Sequence, residues 1–153
     1  MTDPAFRVAE LSLKGYKCSH ILVQIGLDAQ DKSNPDLLRA MSGLASGMCC
    51  GLACGALSGG CCLIGLYAGG DDGCDHPSLP LMLEEYVDWF RDEYTPRYGG
   101  TDCAQIIERN PQLRGERCPG LILAAVRKAC EILEANGFEL DGRSGAEQQD
   151  APR

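Results

Sequence analysis

The chain has 153 residues, 44% of them hydrophobic, and 22 Asp and Glu against 14 Lys and Arg give a formal net charge of −8. That length suits one domain with a real core, and the acidic balance, with basic residues scattered, excludes a phosphate-tracking surface, so no nucleic-acid partner is expected. The opening MTDPAFRVAE has neither the basic nor the apolar region of a secretory signal, which predicts a cytoplasmic protein whose ten cysteines serve metal ligation, redox chemistry or burial rather than structural disulfides.

Proline opens several segments and glycine closes them, as in helices. Residues 5–14 carry Phe6, Ala9 and Leu13 at helical spacing, with Gly15 as the stop. Residues 18–27 place Cys18, Ile21, Leu22 and Ile25 on one face of a second helix. Asn34 and Pro35 form an N-cap and first-turn pair for a third. After a glycine-rich stretch, residues 53–68 predict an almost wholly apolar helix. Residues 78–99 stack Leu83, Tyr86, Val87, Phe90 and Tyr94 against a core, with acids opposite. A short helix follows over 102–110. The last, from Cys118 to Gly137, has Ile122, Ala125, Val126, Ala129 and Leu133 in register. No run alternates with period two, so the fold class is all-α: a compact single-domain bundle of about six helices over residues 1–140, with a Gly/Cys-rich central helix and loop. Residues 141–153 lack apolar content and predict a disordered tail.

Between Arg39 and Asp71 lie 31 uncharged residues that include five cysteines, nine glycines and a glycine every fourth position from Gly43 to Gly59. The length exceeds the roughly 20 residues of a membrane span, and small residues at this spacing resemble a transmembrane packing face. The many glycines lower both hydrophobicity and helix propensity, by about 1 kcal/mol each relative to alanine. A buried core helix preceded by a close-packed loop is therefore expected, with no membrane span.

Four cysteines stand out by position. Cys18, Cys54 and Cys103 each begin a predicted helix, Cys103 behind a capping Asp102, and Cys118 directly precedes Pro119 as an N-cap would. Helix N-termini favour anions and lower thiol pKa values, so four converging ends would suit a metal or an iron–sulfur cluster. Glycines at 51 and 55 leave backbone free to approach such a group closely. The separations of 36, 49 and 15 residues match no compact ferredoxin spacing. Structural zinc on four cysteines is an alternative, although close CxxC pairs are absent. So is a thiol–disulfide oxidoreductase using Cys50 and Cys54, one helical turn apart. Cys61, Cys62 and Cys130 lie on apolar faces and read as small core residues. Cys49 and Cys50 could join Cys74 in a second site, and Cys74 with Asp71, Asp72, Asp75 and His76 forms either a surface metal site or a solvated loop. His20 reads as structural rather than as a ligand, and Trp89 with the tyrosines at 86, 94 and 98 as packing.

The segments KCSHILVQIGLD, CGALSGG, YGGTDCAQII and GERCPGLILAAVRKACEIL, in that order over residues 5–137, resemble the redox-active family named for its C-GCAxxG-C-C cysteine pattern. The resemblance places the four defining cysteines on Cys18, Cys54, Cys103 and Cys118 and the signature on residues 54–59. It implies a small helical redox protein. Similarity to the cluster-bearing part of split-Soret cytochromes further implies iron–sulfur ligation by those four, [4Fe–4S] or [2Fe–2S], with Gly51 and Gly55 close to the cluster. The six other cysteines depart from the plain pattern, and no CxxCH for covalent haem is present. The expected function is electron transfer or redox sensing for a redox partner protein, compatible with an accessory role in an oxidoreductase system and with a homodimer through the glycine-rich apolar face. No Ser/His/Asp set, paired-carboxylate site or phosphate loop offers a pocket for an organic substrate.

Overall fold

The computed structural model describes residues 3–140, so the expected tail at 141–153 lies outside the described residues. Seven α-helices run in chain order: α1 Pro4–Leu13, α2 Cys18–Ala29, α3 Pro35–Met41, α4 Gly55–Ala68, α5 Leu79–Tyr98, α6 Cys103–Ile106 and α7 Arg114–Ala135. No strand is present among the described residues, and only an isolated bridge pairs Ala53 with Asp102. The all-α class is as expected, with six helices of seven residues or more.

Local chemistry sets most of the helix starts. Asp3 accepts from the Ala5 amide ahead of α1, and Asn34 accepts from the Leu37 amide ahead of α3; each is followed by proline at the first helical position. Gly99, at φ 81°, closes α5 with its amide donating to the Thr95 carbonyl. Helix α6 is only four residues long, because Glu108 and Arg109 adopt left-handed φ values of 51° and 54° and turn the chain away. Helix α7 begins at Arg114, ahead of the expected start. A 3₁₀ turn over Pro111–Leu113, capped by Asn110, feeds directly into it. Pro119 therefore lies inside α7 rather than at its first position, and Cys118 is not an N-cap. The bond Pro119 cannot donate would have gone to Gly115.

Helix α4 is the axis of the bundle, packed along α2 and against α5 and α7. Ile21, Leu22 and Ile25 of α2, Leu63 and Ile64 of α4, Tyr86 and Phe90 of α5, and Ile122, Ala125, Val126, Ala129 and Leu133 of α7 are buried in one core. A second cluster of Val23, Leu27 and Met41 seats α3 on α2. Close approach requires glycine at position 60, where a Cβ would stand 2.0 Å from the Tyr86 hydroxyl. That hydroxyl donates to the Ala56 carbonyl at 2.7 Å, pinning α5 to α4. The expected face of α1 is corrected. Phe6 and Leu13 are 64% and 90% exposed, and Val8 and Leu11 are buried instead, because these two lie on the stripe of α1 that packs into the main core, with Arg7 paired to Asp28 of α2 at 2.7 Å beside it. On α5, Met82 takes a buried place while Leu83 and Val87 are only half-buried.

The uncharged run thus divides at Cys54 into an irregular loop and a core helix. No helix among the described residues is long and apolar enough to cross a membrane.

Candidate redox site of four cysteines

Cys18 is the first residue of α2, Cys54 the N-cap of α4, Cys103 the first residue of α6, and Cys118 lies in the second turn of α7. Three of the four expected helix ends are therefore found. Backbone pairing joins the middle two. The Cys54 amide donates to the Thr101 carbonyl at 3.2 Å and the Cys103 amide to the Leu52 carbonyl at 2.7 Å, on either side of the Ala53–Asp102 bridge. Asp102 is itself held by the Gln105 side chain, which accepts from its amide at 3.0 Å. Arg117 donates to the Ile106 carbonyl at 2.7 Å and lies over the Tyr98 ring, which fastens α6 to α7 and brings Cys118 in. Cys18 arrives through Gly55, where a Cβ would stand 2.3 Å from the Cys18 sulfur. Only a glycine at the start of α4 leaves room for that thiol. Gly51 serves the same region less directly: its φ is 73°, and a Cβ there would meet the Ala104 side chain at 3.0 Å.

The four thiols share one electrostatic neighbourhood. Burial pushes Cys54 up to about 12, with Cys18 and Cys118 adding to the rise, while the amides of Ala56 and Leu57 donate to its sulfur and oppose it. Burial likewise pushes Cys118 up to about 11, helped by Cys18 and Cys103. Cys103 is raised by burial and opposed by Arg114, whose guanidinium donates a hydrogen bond to it. Helix-end stabilisation is thus present, but desolvation outweighs it in the reduced protein. The expected lowering is corrected on that ground at Cys54, Cys103 and Cys118.

Arg114 is the site residue that sequence reading missed. It stands four residues before Cys118, and starting α7 at Arg114 would have put both on one helical face.

The loop just before Cys54 is unusual. Ser46, Gly47, Met48 and Cys49 all have φ between 55° and 61°, a left-handed turn closed by the Leu52 amide donating to the Gly47 carbonyl at 3.1 Å. Gly47 is indispensable there, since a Cβ would lie 2.3 Å from the Leu52 carbonyl oxygen. Cys49 and Cys50 are exposed on this turn and Cys54 is buried beyond it. The chain between Cys50 and Cys54 is not helical, so the expectation that they lie one helical turn apart is corrected.

The remaining candidates take structural places. His20 accepts from the Lys17 amide at 3.3 Å through Nδ1, and its Nε2 lies 2.9 Å from the Ser42 hydroxyl. Asp75 accepts from the Gly70 amide and His76 from the Ser78 amide, which orders the loop around exposed Cys74. Cys61 and Cys130 pack against the main core and Cys62 against the second cluster, all half-buried. All ten cysteines are free.

The donor chemistry at the four-cysteine site, thiols beside a wall without a Cβ at Gly55, fits a thiolate-ligated group. Among the described residues no three His, Cys, Asp or Glu stand close enough together to hold a metal ion.

An all-α, cysteine-rich fold with four thiols gathered from four segments is the frame of a small redox protein. The family described as "Putative redox-active protein (C_GCAxxG_C_C)" matches residues 16–132, and the chain belongs to it. No curated protein and no solved structure matches the chain.

Proposed function

We propose that the redox activity of this chain resides at Cys18, Cys54, Cys103 and Cys118 and that these thiols hold an iron–sulfur cluster for electron transfer or redox sensing. The observation that supports this reading is the approach of the Cys18, Cys54 and Cys103 segments through the Ala53–Asp102 bridge and the Gly55 gap, with the helix of Cys118 fastened to α6 by Arg117. When bound, the cluster supplies one-electron chemistry. The chain's own residues do the rest. The four thiols give up their protons on ligation, and the Ala56 and Leu57 amides stabilise negative charge at the Cys54 sulfur. Arg114 does so at Cys103. The surrounding core excludes water from Cys54, which is 7% exposed.

Thiol exchange between Cys50 and Cys54 is disfavoured, because Cys54 is buried with its thiol pushed up to about 12, leaving little thiolate near neutral pH. The test is anaerobic purification with iron and acid-labile sulfide analysis and a visible spectrum, repeated on Cys54→Ala and Cys103→Ala. Stoichiometric iron and sulfide with broad visible absorption, lost in both variants, is the expected result. A colourless, iron-free protein from anaerobic cells overturns the reading, and zinc in place of iron makes the site structural.

A further inference from the structure

A shallow cleft of about 280 Å³, largely open to solvent, lies where the α1–α2 link meets α3, and it is lined by Lys14, Gly15, Tyr16, His20, Leu38, Arg39 and Ser42. Its charge is anomalous for this protein. The whole chain carries 22 acidic against 14 basic side chains, yet the cleft wall holds two full cations, Lys14 and Arg39, and no carboxylate. Each cation is ion-paired from outside the lining, Lys14 with Glu10 and Arg39 with Asp36. Those pairs are local to one helix or its end and solvent-exposed, so they bind their cations weakly and leave them available.

The rest of the wall has a defined polar and aromatic surface. The Tyr16 ring meets the His20 ring edge-on at 6.1 Å between centroids, and Leu38 adds an apolar side. The Ser42 hydroxyl is held by His20 at 2.9 Å. The α2 end of the cleft is fixed further by the buried Ser19 hydroxyl, which donates to the Met41 carbonyl at 2.8 Å. Two cations, a hydroxyl and a half-buried aromatic edge around a space of this size match a small molecule that carries an oxyanion.

We propose that this cleft is a binding site for a small oxyanion-bearing molecule, with a phosphate or carboxylate group held between Lys14 and Arg39 and hydrogen-bonded by Ser42. Arg39 supplies forked donors and Lys14 a compact charge, which suits either oxyanion. Tyr16 and His20 flank Cys18 in sequence, so the bound molecule lies beside the segment that delivers Cys18 to the cysteine site. The proposal does not rest on a cluster being present.

The test is an amide NMR titration of the full, reduced chain with inorganic phosphate and, separately, with succinate, at constant ionic strength. Saturable shifts confined to Gly15, Tyr16, His20, Ser42 and their neighbours are expected for at least one of the two, and which one responds assigns the oxyanion. In the double variant Lys14→Gln, Arg39→Gln the affinity should fall by about tenfold or more, while Arg91→Gln, Arg127→Gln, which removes the same charge from exposed positions elsewhere, should leave it unchanged. Unshifted α4 amides in both variants show that the fold is intact. No saturable shift with either anion overturns the proposal, as does an equal loss in both double variants, which would reduce the effect to net charge.

Discussion

Cys50 and Cys54 are four residues apart, yet they belong to different chemical worlds. Cys49 and Cys50 ride on a left-handed turn open to solvent, as Cys74 rides on its own loop. Cys54 closes the same segment but is buried against the core, under the same cover as parts of Cys18, Cys103 and Cys118. Nearness along the chain therefore says little about which thiols act together. Backbone pairing across residues 52–54 and 101–103 joins Cys54 to Cys103, the Gly55 gap admits Cys18 and the Arg117 bond to Ile106 brings in Cys118, while Cys50 stays on the exposed turn before them.

The largest expected contrast is in reactivity. Native-state alkylation at neutral pH, followed residue by residue in the mass spectrum, should label Cys49, Cys50 and Cys74 first. Cys54, with its thiol pushed up from 9.0 to about 12, should lag an ordinary exposed thiol by on the order of 10³-fold from thiolate fraction alone. Labelling of Cys54 as fast as Cys50 would erase the distinction between the two regions.

The same burial makes stability depend on pH. Cys54 in the folded state holds its proton above the ordinary thiol value of 9.0, to about 12, and Cys61, Cys118 and Cys130 do so to about 11. The unfolded chain ionises first, so the stabilisation is intact below about pH 9 and is lost as pH rises towards 12. Chemical denaturation of the reduced protein should show a drop of a few kcal/mol across that window, and Cys130→Ala, which leaves the four-cysteine site alone, should flatten only part of it. A stability that is level from pH 8 to about 11 would mean that these thiols are not desolvated.

Gly55 and Gly65 separate site geometry from helix propensity. Both lie in α4, but a Cβ at Gly55 meets the Cys18 sulfur at 2.3 Å whereas nothing lies within 4 Å of one at Gly65. Gly55→Ala should cost about 1–3 kcal/mol by overpacking and speed the labelling of Cys18. Gly65→Ala should gain up to about 1 kcal/mol from helix propensity. Equal effects in denaturant melts would mean that the Gly55 gap is not occupied by Cys18.

The smallest effect concerns the exposed turn. Met48 is 42% exposed at φ 60°, so Met48→Gly removes a left-handed penalty of about 1 kcal/mol while giving up little burial. A slight rise in melting temperature is expected. A clear fall would show that Met48 anchors the turn by contacts rather than merely tolerating it.

Much of this was legible in the chain. Asn34–Pro35 marked the start of α3, and the spacing of Ile122, Ala125, Val126, Ala129 and Leu133 gave the buried face of α7, because a long helix with an unbroken apolar stripe has one way to bury it. Cys18, Cys54 and Cys103 were readable as helix beginnings. The sequence misled where two faces compete or where a turn breaks a local rule. Phe6 and Leu13 lost to Val8 and Leu11 because two faces of a short helix compete and it is the Val8–Leu11 stripe that meets the core shared with α2 and α7. Pro119 suggested a helix start, but the helix had already begun at Arg114, and that earlier start is what brings the guanidinium of Arg114 to the thiol of Cys103.

The sequence by itself determined the helical class and the core-facing residues of the long helices, because periodicity and capping are local and survive in one dimension, and its motifs carried the resemblance to the family. Only the tertiary structure decided that the Cys54 and Cys103 segments pair, that Gly55 makes room for the Cys18 sulfur, that burial overrides the helix ends in setting thiol acidity, and that Lys14 and Arg39 line one cleft. Each of these depends on distances between segments far apart in the chain, and those distances are fixed by packing the apolar faces together.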